Sequence, residues 1–211
     1  MLRRGNILIL FGFILIVAAS ILTLVNIKEE AESNNQIASI TSELVSIPEK
    51  PKIRQPIRLE ITTEEIMDEY SNDQGSNTLN QKSTIEIDGN AYMGLISIPK
   101  IGLDVPVMDN WSYPKLKVSP CRFLGSLENN DLVVAGHNYK SHFSNIKKLS
   151  IRDALQFKCT DGEVIGYTVS DIEVVNPNQL DRIIDTEYDL ILFTCTSSGT
   201  QRFLLKCTRT I

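Results

Sequence analysis

Three residues in this chain pair reactive side chains with suitable surroundings for nucleophilic catalysis: Cys195, His137 and Arg202. The cysteine closes the run Asp189-Leu190-Ile191-Leu192-Phe193-Thr194-Cys195, which reads as a β-strand carrying a thiol to its exposed tip. A turn, Thr196-Ser197-Ser198-Gly199-Thr200, follows, and a second strand brings Arg202 back. Strand alternation puts Phe193 and Cys195 on one face of the first strand, and Arg202 and Leu204 on one face of the second. An antiparallel register across this short connection sets Cys195 opposite Arg202, where directly paired Cβ atoms lie roughly 4.5–5.5 Å apart. A guanidinium so placed favours the thiolate and offers donors to an oxyanion or a carbonyl. His137 ends the apolar run Asp131-Leu132-Val133-Val134-Ala135-Gly136 and would supply the proton chemistry.

Magnitudes constrain that chemistry. Ordinary pKa values of about 8.5 for cysteine and 6.5 for histidine leave roughly 3% of thiols and a quarter of imidazoles ionised at pH 7. Titrating independently, under about 1% of molecules would hold thiolate and imidazolium together. Either the site shifts these equilibria or the enzyme is slow. Each residue also has a plainer reading: a cysteine packed at a strand end, a loop histidine after Ala-Gly, a strand-edge arginine. His137 and His142 could join Cys195 around a metal, but no further ligand stands at a suitable spacing, and no metal site is assigned.

The elements that must position these groups begin at Tyr92. Tyr92-Met93-Gly94-Leu95-Ile96-Ser97-Ile98 alternates into a proline stop, and Leu103-Asp104-Val105-Pro106-Val107 follows. Residues 111–118 read as irregular or a short helix. Ser141 can cap a short helix in which Phe143, Ile146 and Leu149 make an apolar side. Residues 154–160 and 165–175 read as strands around the Asp161-Gly162 turn. Residues 178–184 read as a short helix, and 188–195 with 201–209 as the closing hairpin. Seven or eight strands with short helical connections in this span predict a β-barrel or sandwich.

The N-terminal half is different. From Ile7 to Val25 the chain is nearly all apolar and carries no charge. A helix over this run is roughly 28 Å long, close to the hydrocarbon thickness of a bilayer. Ala18-Ala19-Ser20 imitates a signal-peptide cleavage site, but the apolar run continues through Ile21, Leu22, Leu24 and Val25. An uncleaved anchor at residues 7–27 is therefore expected, with 1–6 cytoplasmic because Arg3 and Arg4 precede it and the rest outside. Residues 28–90 form a polar stalk rich in Glu, Asn, Ser and Gln with a charge balance of −7, which Arg3 and Arg4 and a neutral remainder bring to the chain's net −5. Within the stalk Ile37, Ile40, Leu44 and Val45 approximate a helical stripe, and Thr62-x-x-Glu65 resembles a capping box. A spacer with transient helices is the expected behaviour, with a helix packed on the domain as the alternative. The domain itself is expected at 91–211. The four cysteines lack metal-pair spacing, and a bridge among Cys121, Cys159 and Cys207 is left open.

Leu192-Phe193-Thr194-Cys195 followed by Arg202 resembles the T-L-x-T-C…R signature of sortases, the surface transpeptidases of Gram-positive bacteria. Ala135-Gly136-His137-Asn138 is similar to the family's Gly-His motif, and the resemblance spans Tyr92 to Arg209. Ile191 stands where the signature's first threonine is common. The resemblance implies a closed β-barrel of seven to eight strands with short connecting helices, behind an N-terminal transmembrane helix. It implies that Cys195 attacks the carbonyl after threonine in an LPxTG-like sorting signal, giving a thioacyl enzyme. His137 would give a proton to the departing glycine amine and take one from the incoming amine. Arg202 would hold the substrate carbonyl or the oxyanion, and Thr194 would line the substrate groove.

The partners so implied are sorting-signal proteins, an acceptor amine on a peptidoglycan precursor or cross-bridge or on a pilin lysine, and the plasma membrane. Nucleic acid is not expected. No organic cofactor is expected, and calcium, which some members hold through acidic loop residues, has no assignable site here. An N-terminal anchor without an apolar C-terminal segment, and no D-P-W- or D-P-F-like lid motif, point away from the pilin-polymerising type and toward a B- or D-like enzyme. A cysteine hydrolase without transfer activity and a wall-binding β module are the competing readings.

Overall fold

A computed structural model describes residues 4–50, 83–179, 181–184 and 187–210. The capping box expected at Thr62-x-x-Glu65 lies outside the described residues.

Nine strands make one sheet: β1 (Ile85–Ile87), β2 (Asn90–Ile98), β3 (Leu103–Met108), β4 (Cys121–Leu124), β5 (Leu132–Ala135), β6 (Ala154–Cys159), β7 (Val164–Val175), β8 (Leu190–Cys195) and β9 (Arg202–Arg209). Their spatial order is β1-β2-β3-β4-β5-β8-β9-β7-β6, and β6 returns to β2, so eight of them close a barrel. β1 and β6 share one edge of β2, β1 pairing with Asn90 to Tyr92 and β6 with Gly94 to Ser97. At the changeover a Cβ on Gly94 would lie 2.3 Å from the Lys158 carbonyl oxygen and 2.5 Å from the Phe157 ring. The backbones can approach this closely, and the barrel can close, only because that position lacks a side chain.

Alternation sends Ile96, Val105, Val134, Phe157, Leu192 and Leu205 into the barrel, where they form the main core. Helices cover part of the outer face, α1 (Arg4–Val45) packing on β2, β3 and the short helix that follows β3. The helix α1 exposes its apolar first half, with Leu10, Phe11, Phe13 and Ile14 all more than half exposed. Among the described residues it is the one helix long and apolar enough to cross a membrane. Its second half turns Ser33, Ile37, Ile40 and Leu44, at i, i+4, i+7 and i+11, inward. Ile40 and Leu44 pack with Tyr92, Leu95, Met108 and Leu116 on the outside of the barrel. Leu116 belongs to α2 (Tyr113–Val118), whose first turn is capped by the Ser112 hydroxyl accepting from the Lys115 N–H.

Residues 28–45 are therefore not a free spacer: Ile37, Ile40 and Leu44 of the stripe read as a transient helix are buried, and Val45 is exposed. The chain beyond stays on the barrel too. Lys50 N–H donates to the Gly162 carbonyl at 2.8 Å, and its ammonium pairs with Asp161 at 2.9 Å. β1 draws 85–87 into the sheet as well, so the sheet begins before residue 91. β4 adds a strand that its four residues and its bulge at Arg122/Leu124 hid from a periodicity reading. The helix expected after Ser141 is a 3₁₀ turn at Ser144–Lys148, and Ser141 does not cap it; its hydroxyl is buried without a partner among the described residues. Its apolar side is as read, with Phe143, Ile146 and Leu149 all buried. The helix expected at 178–184 is the single turn α3 (Asp181–Ile184). All four cysteines are free thiols; Cys159 and Cys207 face the barrel core, while Cys121 lies in the cluster under α1.

The docked stripe sets a test. Leu44, 2% exposed, should destabilise the full chain by about 2–4 kcal/mol when changed to Ala. A spacer residue would change stability by no more than about 0.5 kcal/mol. Denaturant unfolding in detergent micelles distinguishes the two.

Candidate active site

The register of three adjacent strands assembles the site. β5 and β8 run parallel with Ala135 beside Phe193, and the pairing continues as Gly136 N–H donates to the Phe193 carbonyl at 3.0 Å. Two residues past that pair, His137 and Cys195 leave their strand ends side by side. On the other edge of β8 the antiparallel register sets Cys195 directly across from Arg202. The intervening turn is pinned by Thr196 N–H donating to the Gln201 carbonyl at 2.9 Å and by Gly199 N–H donating to the Thr196 carbonyl at 2.9 Å. Gly199 has φ +74°, in the left-handed region that glycine enters freely.

His137, Thr194, Cys195 and Arg202 all line one open cleft of about 300 Å³. Its wall is aromatic. Phe123 meets Phe193 edge-to-face with centroids 5.3 Å apart, and Trp111 meets Phe123 in the same way at 5.8 Å. Pro177 and Ile183 complete the apolar lining. Cys195 is half-buried. The Arg202 guanidinium donates long bonds of 3.3–3.4 Å to the Gly199 and Gln201 carbonyls, and among the described residues no carboxylate pairs with it. Thr194 is fully buried, and its hydroxyl has no partner among the described residues. Ile191, where the signature commonly has threonine, packs with Val133, Val175, Ile183 and Leu204. At this position a hydroxyl would enter an apolar cluster, which accounts for the isoleucine.

His137 stacks on Tyr139, with ring centroids 4.7 Å apart at 27°. Its backbone carbonyl accepts from Phe143 N–H at 3.1 Å, closing the loop behind it. Asn138 Oδ1 accepts from Lys147 Nζ at 2.6 Å. Burial pushes the imidazole pKa below its ordinary value; the Lys117 charge lowers it further and Glu29 opposes. Burial therefore favours the neutral imidazole. The glycine of the Gly-His pair is explained by packing: a Cβ at Gly136 would lie 2.4–2.8 Å from the Phe143 ring.

A sequence reading finds Cys195, Arg202 and His137 from strand ends, but it misses the aromatic wall. Trp111, Phe123 and Phe193 come from three separate segments, and only the sheet order brings them together. It also reads His142 only as a metal ligand. The two histidine rings stand 6.2 Å apart, and among the described residues no cluster of three metal-ligating side chains occurs.

A thiol, a neutral imidazole and a guanidinium in a row across adjacent strand ends, beneath an apolar cleft, can carry out acyl transfer through a cysteine. A sortase-domain family model matches residues 96–210, more than half of the chain, and the chain belongs to the sortase family of transpeptidases. Sortase C1 from Streptococcus agalactiae is 30% identical with a TM-score of 0.52, covering 60% of this chain and 71% of that one. Sortase C from Clostridium perfringens, solved with the C-terminal cell wall sorting motif, is 26% identical with a TM-score of 0.50, covering 57% and 71%. Sortase A from Corynebacterium diphtheriae is similar in fold, with 22% identity, a TM-score of 0.51 and coverage of 58% and 62%, so this chain spans less than two thirds of it. These neighbours carry A- and C-type names, and no subclass follows from them. No curated protein sequence matches the chain.

Two outcomes follow from this geometry. Gly136→Ala should cost about 1–3 kcal/mol through overpacking against Phe143. By displacing His137 it should also cut turnover about ten- to a hundredfold in a protein that still folds. The second outcome concerns titration. Because Lys117 lowers the His137 pKa and Glu29 raises it, Lys117→Met should move the imidazole midpoint up and Glu29→Gln should move it down. The wild-type midpoint should lie below about 6.5. Nuclear magnetic resonance titration of the histidine ring reads all three.

Proposed function

We propose that this sortase is a membrane-anchored cysteine transpeptidase that cleaves an LPxTG-like sorting signal and passes the surface protein to a cell-wall amine. The row formed by His137, Cys195 and Arg202 along the aromatic cleft carries this reading. The sorting motif named with the Clostridium perfringens relative supports a sorting-signal substrate. Apolar residues of such a signal meet Trp111, Phe123 and Phe193, and its threonine carbonyl reaches the strand ends.

Neutral His137 takes the Cys195 proton as the sulfur attacks that carbonyl, so the reaction does not depend on a standing thiolate–imidazolium pair. Arg202 meets the resulting oxyanion, with donors that exchange long bonds to turn carbonyls for a charge. The imidazolium then gives its proton to the departing amine as the C–N bond breaks, leaving a thioacyl on Cys195. An incoming amine attacks the thioacyl carbonyl and loses its proton to His137; the thiolate leaves and recovers that proton. Thr194 lines the cleft beside Cys195, with its own hydroxyl buried and without a partner among the described residues. The apolar half of α1 anchors the enzyme, and Arg3 and Arg4 hold the N-terminus on the cytoplasmic side. The catalytic barrel then faces outward.

The test uses the full chain in detergent micelles with a library of LPxTG-type peptides and varied amines, read by mass spectrometry. Cys195→Ala should abolish cleavage, and Arg202→Ala should reduce turnover about 10²–10³-fold. Added amine should divert product from the free acid to the amide. Cleavage that never yields amide points to a hydrolase. No cleavage by intact wild-type protein, with calcium or without, sinks the proposal.

A further inference from the structure

His142 takes no part in the steps above, yet it is fully buried five residues from His137 and both of its ring nitrogens are engaged. Nδ1 accepts from the backbone N–H of His137 itself at 3.3 Å. That bond requires a bare Nδ1, so the single proton of the neutral ring sits on Nε2. Nε2 lies 2.8 Å from the Ser33 hydroxyl on α1 and donates to it. The Ser33 hydroxyl in turn donates to the Val118 carbonyl, at the end of α2, at 3.3 Å. Burial, with His137 beside it, lowers the His142 pKa to about 3, so this tautomer persists through the working pH range.

Two further contacts come from the same stretch of α1. Glu30 Oε1 accepts from the Lys140 backbone N–H at 3.2 Å, inside the histidine loop. Glu29 pairs with Lys117 of α2 at 2.7 Å. About one turn of α1, residues 29–33, therefore grips the histidine loop at two points and α2 at two more. Ser33 is 2% exposed and is the one polar residue of the docked stripe. Packing alone would be served by an apolar residue at position 33 and another at 142. Here instead a polar chain runs from helix to helix and ends on the main chain of the residue that carries the proton.

We propose that Ser33 and His142 are positioning residues for His137, so that the docked N-terminal helix is a structural part of the active site. This rests on the reading of His137 as the proton carrier. The charged and titratable groups around that imidazole are Glu29 and Glu30 on α1, Lys117 on α2, Tyr139, Lys140 and His142 on its own loop, and Cys195 and Arg202 on the strands. Of these, only His142 bonds to the His137 backbone N–H among the described residues.

The experiment compares full-length Ser33→Ala, Ser33→Thr, His142→Phe and Ile37→Ala proteins in micelles. Ser33→Ala should lower kcat about tenfold with KM unchanged, because it loosens the base without touching the cleft that binds peptide. Amide hydrogen exchange across residues 137–143 should quicken, and Ser33→Thr, which keeps the hydroxyl, should restore both. Ile37→Ala weakens docking without touching the polar chain, and should lower the melting temperature with kcat retained. His142→Phe keeps the ring volume and should match Ser33→Ala; if it fails to fold, the serine pair decides. Unchanged kcat in Ser33→Ala overturns the proposal, as does an equal kcat loss in Ile37→Ala at equal loss of stability. Should wild-type enzyme cleave no sorting peptide, the functional reading fails separately. The exchange data then decide the tether alone: faster exchange in Ser33→Ala upholds it, and unchanged exchange overturns it.

Discussion

β8 is bonded in parallel to β5 on one edge and antiparallel to β9 on the other, and both registers must hold together for the site to exist. A slip of one residue in either pairing would send every side chain of the slipped strand to the opposite face. Leu190 and Leu192 would leave the barrel core, and Cys195 would turn away from the cleft. The geometry of the candidate site is therefore guarded by the hydrophobic core and not by local contacts at the strand tips. Ile191 contributes to this on the outer face, where it locks β8 beneath Val175 and Ile183.

Electrostatics at the cleft follow from the same scaffold. His137 sits at the end of a buried strand, and burial disfavours its charged form. Lys117 adds to that, while Glu29, drawn in by the docked helix, both pairs with Lys117 and moderates its effect on the imidazole. In the proposed mechanism, a neutral base that receives the thiol's proton during attack would meet the ionisation problem posed by ordinary pKa values. On that route the population of preformed ion pair does not limit the rate.

How much of this was legible in the sequence depends on the range over which each signal acts. The period-two pattern at 189–195 and the short turn to Arg202 are local, and they yielded both the strand and the register that faces Cys195 with Arg202. His137 was legible as the end of an apolar run, and its motif fitted the family. The stripe Ile37, Ile40 and Leu44 was visible, but in a polar acidic segment the same spacing suits a transient helix and a docked one. What decides between them is the apolar outer face of Tyr92, Leu95 and Met108, on strands whose exposure a linear reading cannot know. β1 and β4 were missed because three and four residues carry too little pattern. The Ser33–His142 bond joins residues 109 positions apart, and no local rule connects them.

That bond has a geometric consequence if α1 anchors the enzyme as proposed. α1 is one helix from its apolar stretch to Leu44, without a break at which the barrel could swing. Glu29, which pairs with Lys117 of α2, stands four positions past Val25, a rise of about 6 Å. With 7–27 spanning the bilayer as proposed, the histidine loop is held within about one helical turn of the membrane surface. A docked rigid helix fixes the height of the cleft above the bilayer, whereas a flexible stalk would let it range widely. The helix that anchors the enzyme would then also set the plane in which Cys195 meets its substrates.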